Sequence, residues 1–285
     1  MSAPESYKLV QLRNGAHSVH STAHGETMHP GLGPAVEAQE LYVRQLRLLD
    51  RQREWAGEFV IWDVGLGAAA NALTILRASR DVSNHLYLLS FEHTLEPLHF
   101  ALQAGSALGY FAGYERDVEK LIVDRRVEFQ NGNQSVRWEL HVGDFPALMR
   151  SAAAPLFAKP HAVVFDPWSP AKNPAMWTAP LLADVFRLLD PSRPCAMPTY
   201  SRSTMLRVAL LLAGFFVGSG PATGRKEETT IAANARDLVP SLLGRDWLAR
   251  AQRSGSAEPM WEPVYRQAPL QSATLERLLR HPQFA

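Results

Sequence analysis

The sequence predicts an α/β protein whose sheet is Rossmann-like and mostly parallel, with an antiparallel pair of strands at its edge. Two observations lead to this fold class. Short apolar segments typical of buried strands alternate with longer segments typical of helices, which is the pattern of a parallel sheet with crossover helices. One of these strands, at residues 58–64, runs directly into a glycine-containing turn and a helix, as in nucleotide-binding units.

Composition limits the classes of protein to which the chain can belong. It has 285 residues, 46% hydrophobic and 20% charged, which are ordinary values for one large globular domain. No apolar run approaches the roughly 20 residues of a transmembrane helix, and the first residues lack the pattern of a signal peptide. The single cysteine, Cys195, excludes an internal disulfide and a cysteine-rich zinc site. We therefore expect a cytoplasmic protein.

The charge balance neither favours nor excludes a nucleic-acid partner. The formal net charge is only +1 at pH 7, so the chain as a whole does not attract polyanions strongly. Its cations are mostly arginines, which suit phosphate binding, but such a bias can equally reflect genome composition.

An N-terminal extension is predicted over residues 1–57. The pair Asn14-Gly15 is a strong hairpin signal, and the apolar spacing from residue 34 to about 52 predicts a helix. Four histidines lie between residues 17 and 29, but their spacing matches no common zinc site. We expect a hairpin and a helix that pack on the main domain.

The main domain is predicted over residues 58–235, followed by a polar tail over 236–285 to which we assign no fold. Its strands are short apolar runs, and its helices carry apolar residues at helical spacing. The last two strands leave no room for a crossover helix and must be antiparallel. We predict strands at 58–64, 85–91, 127–130, 136–142, 162–165, 194–200, 215–218 and 229–233, and helices at 72–79, 95–110, 111–124, 145–153, 175–189 and 203–213.

Carboxylates and glycines lie at the ends of four predicted strands, where open α/β sheets bind ligands. Glycines there let a ligand approach the backbone, and Glu92, about 27 residues after the first glycine, is placed to bind ribose hydroxyls. Because position 70 is alanine, the GxGxxG fingerprint is incomplete, and a turn without a ligand is also compatible. The strand-end residues are Asp63, Gly65 and Gly67, then Glu92, then Asp144, then Asp166, and Asn71 ends the glycine turn that follows the first of these strands.

The segment at residues 162–177, AVVFDPWSPAKNPAMW, carries the most information. A buried strand ends in Asp166, and three prolines stiffen the loop that follows. By itself this pattern fits either a carboxylate presented for chemistry or an aspartate that merely starts a turn. The other strand-end carboxylates favour the first interpretation.

The order of strands and helices, closed by an antiparallel pair, describes the class I S-adenosylmethionine methyltransferase sheet better than a dehydrogenase sheet. DPWSPAKNPAMW resembles the D-x-F-[SA]-P-x-K-N-P-x-x-W signature of the methyltransferase domain of MnmC and its stand-alone MnmD relatives. That domain methylates the 5-aminomethyl group of a modified wobble uridine in tRNA. The resemblance covers roughly residues 12–234. Further segments match the family pattern in the same order along the chain. The first is N-terminal and contains Glu26, His29, Gly33 and Glu37. It is followed by DVGLGAAANALTIL, LLSFE and GDFPAL, then by TYS with Arg207 and AGF, and finally by GRKEE.

The resemblance implies an S-adenosylmethionine-dependent methyltransferase that acts on the anticodon region of tRNA. It implies Asp166 as the catalytic residue, and as cofactor-binding residues it implies Asp63, Gly65, Gly67, Asn71, Glu92 and Asp144. The implied substrate-binding residues are Trp168, Pro170, Lys172, Arg207, Arg225 and Lys226. We expect no FAD, because no second glycine-rich nucleotide fold follows residue 234 and the oxidase half of bifunctional MnmC is therefore expected to be missing. The single cysteine and the scattered histidines lead us to expect no metal, and the lack of a long apolar run leads us to expect no membrane association. The oligomeric state stays open.

Three residues depart from the family pattern. Trp168 replaces a phenylalanine but keeps a stacking face, and Ala69 replaces the third glycine. Glu227 replaces a basic residue, which would weaken tRNA binding if that position touches phosphate. Two alternatives therefore stay open. One is a methyltransferase relative with a different amine acceptor, and the other is a non-catalytic nucleotide-binding protein.

Overall fold

The computed structural model describes residues 6–222 and 227–284, and it divides into two compact units. Of the described residues, the first unit comprises 6–144, 162–166 and 227. The second comprises 145–161, 167–222 and 228–284. The division into segments 1–57, 58–235 and 236–285 remains a prediction.

The first unit begins with a small antiparallel sheet. Its strands pair in the order β1 (Tyr7–Gln11), β2 (His17–Ser21) and β3 (Glu26–Thr27). The predicted hairpin is confirmed, because β1 pairs with β2 across the turn at Asn14 and Gly15. Gly15 has a φ of 86°, a conformation that glycine adopts without steric cost.

The helix predicted over residues 34–52 is interrupted. The structure has α1 (Pro34–Ala38), a π-helical segment (Gln39–Arg44) and α2 (Leu48–Glu54). Arg47, with a φ of 49°, separates the last two, and a left-handed residue cannot lie inside a continuous right-handed helix. The apolar stripe on which the prediction rested is therefore shared between separate segments.

A mostly parallel sheet forms the body of the first unit. Neighbouring strands follow the order β8-β4-β5-β7-β6. The pairs β8/β4, β4/β5 and β5/β7 are parallel, whereas β6/β7 is antiparallel. The carboxyl ends of β8, β4, β5 and β7 therefore lie side by side at one edge. The strands are β4 (Glu58–Val64), β5 (His85–Glu92), β6 (Arg126–Asn131), β7 (Gln134–Val142) and β8 (Ala162–Phe165).

Four helices complete the first unit, and two predicted helices are shorter than expected. Gly109 and Gly113 both have positive φ, so the segment between them cannot continue a helix, and the helix predicted from residue 111 begins only at Glu115. The helix predicted over 95–110 is divided in two. The helices are α3 (Ala70–Ala78), α4 (Glu96–Gln103), α5 (Gly105–Leu108) and α6 (Glu115–Asp124).

The second unit combines an antiparallel sheet with helices. Its strands follow the order β10-β11-β9, and the predicted antiparallel pairing of β10 with β11 is confirmed. With the parallel strands of the first unit, this confirms the predicted fold class. In residues 6–222 and 227–284, no helix is long and apolar enough to cross a membrane. The elements are α7 (Phe145–Arg150), α8 (Ala179–Leu188), β9 (Ala196–Thr199), α9 (Thr204–Ala213), β10 (Phe216–Gly220), β11 (Thr229–Ala233), α10 (Arg245–Gln252) and α11 (Ser272–Leu279), with 3-10 turns at Ala154–Leu156, Pro174–Trp177 and Arg236–Leu238.

The C-terminal tail covers the free side of strand β10. Ser219 N donates to the carbonyl of Ser241 (2.9 Å), and Leu243 N donates to the carbonyl of Val217 (3.0 Å). The buried amide of Gln283 bonds both the N–H and the carbonyl of Val217, at 2.7 and 2.8 Å. An exposed edge strand invites aggregation, so the tail protects the sheet that it follows.

Gly218 provides a test of this packing. A Cβ at that position would lie 2.3 Å from the carbonyl oxygen of Ser241 and 2.4 Å from Val239 Cγ1. Gly218→Ala should therefore lower the free energy of unfolding by about 1–3 kcal/mol, measured by urea denaturation. Gly255→Ala is the control, because no heavy atom lies within 4 Å of that Cβ. Equal stability of the two variants would contradict the packing described here.

Candidate active site

The turn after β4 forms one side of the candidate site. Gly65 and Gly67 have φ values of 87° and 51°, and Gly65 N donates to the carbonyl of Phe91 (2.9 Å). A Cβ at Gly67 would lie 3.4 Å from Met28 Cε. Ala69, where the related family has a third glycine, also has a left-handed φ of 60° and forms the N-cap of α3. The predicted sequence of strand, glycine turn and helix is confirmed.

Glu92, the last residue of β5, is held against this turn. Its Oε2 accepts a hydrogen bond from Gly67 N (2.7 Å), and its Oε1 accepts one from His93 N (2.8 Å). Burial raises the pKa of Glu92, and these amide hydrogen bonds oppose the rise. Each carboxylate oxygen has two lone pairs, so Glu92 can hold the turn and still accept a hydrogen bond from a ligand.

Asp63 lies beneath the turn, and its side chain is buried. Its Oδ2 accepts a hydrogen bond from Ser90 Oγ (2.8 Å), which in turn accepts one from Trp138 Nε1 (2.9 Å). Its Oδ1 is buried without a hydrogen-bond partner among the described residues. Burial raises the pKa of Asp63 to about 7, and the negative charges of Asp166 and Glu92 add to the rise.

Asp166 follows β8, and its side chain is 14% exposed. Its backbone N–H donates to the carbonyl of Val64 (3.0 Å), which extends the pairing of β8 with β4 by one bond. Its Oδ2 accepts a hydrogen bond from Asn71 Nδ2 (2.8 Å) in the first turn of α3. The side chains of Asn71 and Asp166, both named from the sequence, are therefore in direct contact.

His29 joins this site from the N-terminal sheet region. Its Nε2 lies 3.6 Å from Asp166 Oδ2, and its Nδ1 lies 3.8 Å from Glu37 Oε2, both within ion-pair distance. Glu37 Oε1 accepts hydrogen bonds of 2.8 Å from the amides of Gly31 and Leu32. Burial alone would raise the pKa of Glu37, but His29 and these two amides hold it below its usual value. The imidazole thus lies between two carboxylates.

The sequence did not indicate the contact between His29 and Asp166. In the sequence, His29 and Glu37 are distinguished only by their match to the pattern of the related family. The two partners of the contact are far apart along the chain and follow strands of different sheets, so no local pattern links them. The matched histidine was the one available signal.

Asp144 is the least enclosed of the predicted cofactor-binding residues. It is exposed and follows Gly143 at the end of β7. Gly143 N donates to the backbone carbonyl of Glu92 (2.9 Å). The structure therefore places Asp144 at the same edge of the sheet as Glu92.

The proline loop in the second unit is ordered by its own hydrogen bonds. Trp177 Nε1 donates to the carbonyl of Trp168 (2.8 Å), and the Tyr200 hydroxyl donates to the carbonyl of Pro167 (3.1 Å). Trp168 and Pro170 are half-buried, and Lys172 is exposed in a turn closed by its N–H and the carbonyl of Ser169 (2.9 Å). Lys172 therefore remains accessible to a ligand.

Arg207 is buried in the second unit, with only 3% of its surface exposed. Its guanidinium donates to Thr230 Oγ1 (2.9 Å), Glu228 Oε1 (3.0 Å) and the carbonyl of Thr229 (2.9 Å). This geometry favours a structural role over the direct phosphate contact predicted for it. Arg225 and Lys226, the other predicted cationic contacts near β11, lie outside the described residues.

The electrostatics of the strand ends suit a positively charged ligand. Asp63, Glu92 and Asp166 are close enough for the charges of the last two to raise the pKa of Asp63. An opposite charge nearby favours the ionised form of such carboxylates. In the part of the chain that the structure describes, no group of three or more histidine, cysteine, aspartate or glutamate side chains is arranged to hold a metal ion.

Comparison with known proteins gives consistent matches. Residues 114–235 match a family described as S-adenosyl-L-methionine-dependent methyltransferase. The tRNA 5-methylaminomethyl-2-thiouridine biosynthesis bifunctional protein MnmC of Aeromonas hydrophila is 29% identical over 77% of this chain and 34% of its own length. That of Burkholderia vietnamiensis is 30% identical over 72% of this chain and 32% of its own length. The chain thus spans about a third of these relatives.

A solved structure shows the same fold. The crystal structure of MNMC2 from Aquifex aeolicus is similar with a TM-score of 0.70 and 23% identity, over 98% of this chain and 86% of that one. The predicted class I methyltransferase fold is confirmed, and the roles of the strand-end residues remain predictions. The similarity to the MnmC proteins confirms the resemblance drawn from the proline loop.

The raised pKa of Asp63 predicts a pH dependence of stability. A carboxylate whose pKa rises from 3.8 to about 7 on folding stabilises the fold fully below about pH 4. That contribution is lost as the pH rises towards 7. Asp63→Asn should therefore gain stability relative to the natural protein between pH 4 and 7, at up to about 1.4 kcal/mol per pH unit. Denaturation across pH measures it, with Asp237→Asn at an exposed position as the control. Parallel curves for Asp63→Asn and the natural protein would contradict the assignment.

Proposed function

We propose that the chain transfers the methyl group of S-adenosylmethionine to the 5-aminomethyl group of a uridine or 2-thiouridine at the wobble position of tRNA. The observation that carries this proposal is the position of Asp166, which is fixed by Asn71 and lies at the same sheet edge as the glycine turn. The similarity to MnmC proteins, whose name specifies this tRNA modification, supports the choice of acceptor. A cytoplasmic location is consistent with a tRNA substrate.

The strand-end residues fit the cofactor. Gly65 and Gly67 would let it approach the backbone, Glu92 would accept hydrogen bonds from its ribose hydroxyls, and Asp144 would bind its adenine amino group. The buried Oδ1 atoms of Asp63 and Asn71 have no partner among the described residues, and such orphaned acceptors favour a cationic or donating ligand. When bound, S-adenosylmethionine supplies an electrophilic methyl group attached to a sulfonium. We propose that neither a metal nor FAD takes part.

Asp166 prepares the acceptor amine. An alkylammonium is largely protonated at pH 7 and cannot act as a nucleophile, so a carboxylate that takes its proton or orients the free amine increases the rate. Asn71 fixes the carboxylate by a hydrogen bond to Oδ2, which leaves Oδ1 to face the amine. His29, at 3.6 Å from Asp166 Oδ2, adds a positive charge or a proton donor that keeps the carboxylate in place. His29 acts through Asp166 and is a positioning residue.

Trp168 is proposed to stack on the acceptor base. A wobble uridine must leave the anticodon stack before its substituent can be reached, and aromatic side chains hold such splayed bases. Because Pro167 and Pro170 restrict the loop and Tyr200 bonds the carbonyl of Pro167, little loop entropy is lost on binding. Lys172, which is exposed, remains a candidate phosphate contact.

Cofactor binding is tested at Glu92. Glu92→Ala removes the acceptor of the ribose hydroxyls and should weaken binding of S-adenosylmethionine about ten- to a hundredfold, measured by calorimetry. Glu96→Ala is the control, since Glu96 is an exposed carboxylate in the following helix. An affinity of the Glu92 variant equal to that of the control would remove Glu92 from the cofactor site.

The role of Asp166 is tested by single-turnover methylation of tRNA that carries 5-aminomethyluridine. Asp166→Asn keeps an acceptor for Asn71 but cannot take a proton, so its rate should fall about 10²–10⁴-fold if Asp166 is a general base. Its affinity for S-adenosylmethionine should stay nearly unchanged. High pH should partly restore the rate, because more of the amine is then free.

Two further variants separate chemistry from positioning. If orientation is the main role of Asp166, Asp166→Asn should retain much of the activity whereas Asp166→Ala does not. His29→Gln removes the imidazole but no group that touches the substrate, so we expect a decrease of roughly tenfold in rate without a change in cofactor affinity. Full activity of Asp166→Ala would refute the proposed function of this site.

A further inference from the structure

The second unit contains a cavity of about 280 Å³ that the methyl-transfer chemistry does not use. We propose that this cavity binds a backbone phosphate of the tRNA substrate. The inference rests on the proposed function for the identity of the ligand, but the cavity is described independently of it. Its polar and aromatic lining consists of Arg202, Thr204, Arg207, Glu228, Trp247 and Arg250.

The single carboxylate of the cavity is already neutralised. Glu228 Oε1 accepts a hydrogen bond from Arg207 (3.0 Å), and Glu228 Oε2 accepts one from Ser219 Oγ (2.9 Å). Burial opposes ionisation of Glu228, but these two hydrogen bonds and the charges of Arg207 and Arg202 hold its pKa below the usual value. Glu228 and Arg207 therefore form an ion pair, and Arg202 and Arg250 bring two further positive charges to the lining of the cavity.

Those two arginines are exposed to solvent. Arg202 lies between β9 and α9, and Arg250 lies in α10. Their guanidinium groups present planar N–H forks that match the oxygens of a phosphate. Trp247, buried one turn before Arg250, supplies a rigid aromatic wall. A cavity of this charge and shape suits an anion with several acceptor oxygens.

The position of Arg202 connects the cavity with the proline loop. Arg202 follows Tyr200 by two residues, and Tyr200 bonds the carbonyl of Pro167 while its ring packs edge-on against Trp177 (5.8 Å between centroids). The same short segment thus carries a contact to the loop proposed to hold the acceptor base and an arginine of the cavity. This favours a phosphate of the tRNA over a free metabolite. It also gives α10, in the tail over residues 236–285, a part in substrate binding.

The test compares binding of unmodified tRNA by the full chain and by Arg202→Gln, Arg250→Gln and the double variant. Each substitution should weaken binding about tenfold and lower the slope of log affinity against log salt concentration by about 1. The affinity for S-adenosylmethionine should stay constant. Arg266→Gln is the matched control, because Arg266 is exposed in the same unit and does not line the cavity. Thermal unfolding verifies that the variants fold.

Three results would decide the matter. A double variant with reduced affinity and salt dependence, beside an unaffected control, supports the proposal. A double variant that binds tRNA like the natural protein overturns it. Binding of inorganic phosphate that the double variant loses, with unchanged tRNA binding, assigns the cavity to a free anion and also overturns it. Since binding is measured without methylation, a chain that binds tRNA through these arginines but methylates none would refute the proposed function alone.

Discussion

The first unit has to offset the electrostatic repulsion among the carboxylates that its parallel sheet brings to one edge. Strand pairing fixes the ends of β8, β4 and β5 side by side, and with them Asp166, Asp63 and Glu92. Like charges in a poorly hydrated place destabilise one another. The unit opposes this with donors: the Gly67 amide for Glu92, the Ser90 hydroxyl for Asp63, and Asn71 for Asp166. One oxygen of Asp63 has no hydrogen-bond partner among the described residues, and a cationic ligand would relieve the remaining repulsion.

The N-terminal region completes this edge. Met28 lies so close to Gly67 that a Cβ at Gly67 would be 3.4 Å from Met28 Cε. His29 Nε2 lies 3.6 Å from Asp166 Oδ2. The buried hydroxyl of Tyr42 donates to the carbonyl of Phe165, the last residue of β8 (3.3 Å). The sheet β1-β2-β3 consists of a hairpin of two five-residue strands and a third strand of only two residues, and an isolated hairpin is marginally stable at best. The sheet therefore belongs to the site architecture and positions polar groups that the main sheet does not supply.

Local sequence patterns predicted the elements whose structure is determined locally. The strand at residues 58–64 and the hairpin at Asn14-Gly15 appear where alternation and turn chemistry place them. The continuous helix over 34–52 was wrong, because apolar spacing does not reveal the left-handed residue Arg47. The burial of Arg207 also escaped prediction. The sequence around an arginine does not show whether its guanidinium pairs with a distant carboxylate such as Glu228 or is exposed to solvent. Only tertiary contacts distinguish the two cases.

The fold of the C-terminal tail is a second example of structure that local sequence patterns do not predict. Residues 236–284 lack a strong periodic pattern, yet Gln283 bonds both backbone groups of Val217 and closes the edge of β10. The N–H and the carbonyl of Val217, on the free side of β10, each need a hydrogen-bond partner. Val217 lies 66 residues before Gln283, so a pattern within the tail does not reveal this contact. A glutamine amide supplies both partners, whereas hydropathy registers it only as polar.

Net charge was the least informative property of the sequence, and the structure explains why. A value of +1 would suggest a chain without electrostatic preference. The first unit, however, collects Asp63, Glu92 and Asp166 at one edge, whereas the second lines a cavity with three arginines and one neutralised glutamate. Fields near a protein surface depend on such local sets, since charges more than about 10 Å apart are largely screened at physiological salt. A nearly neutral chain can therefore carry one site for a cation and another for a polyanion.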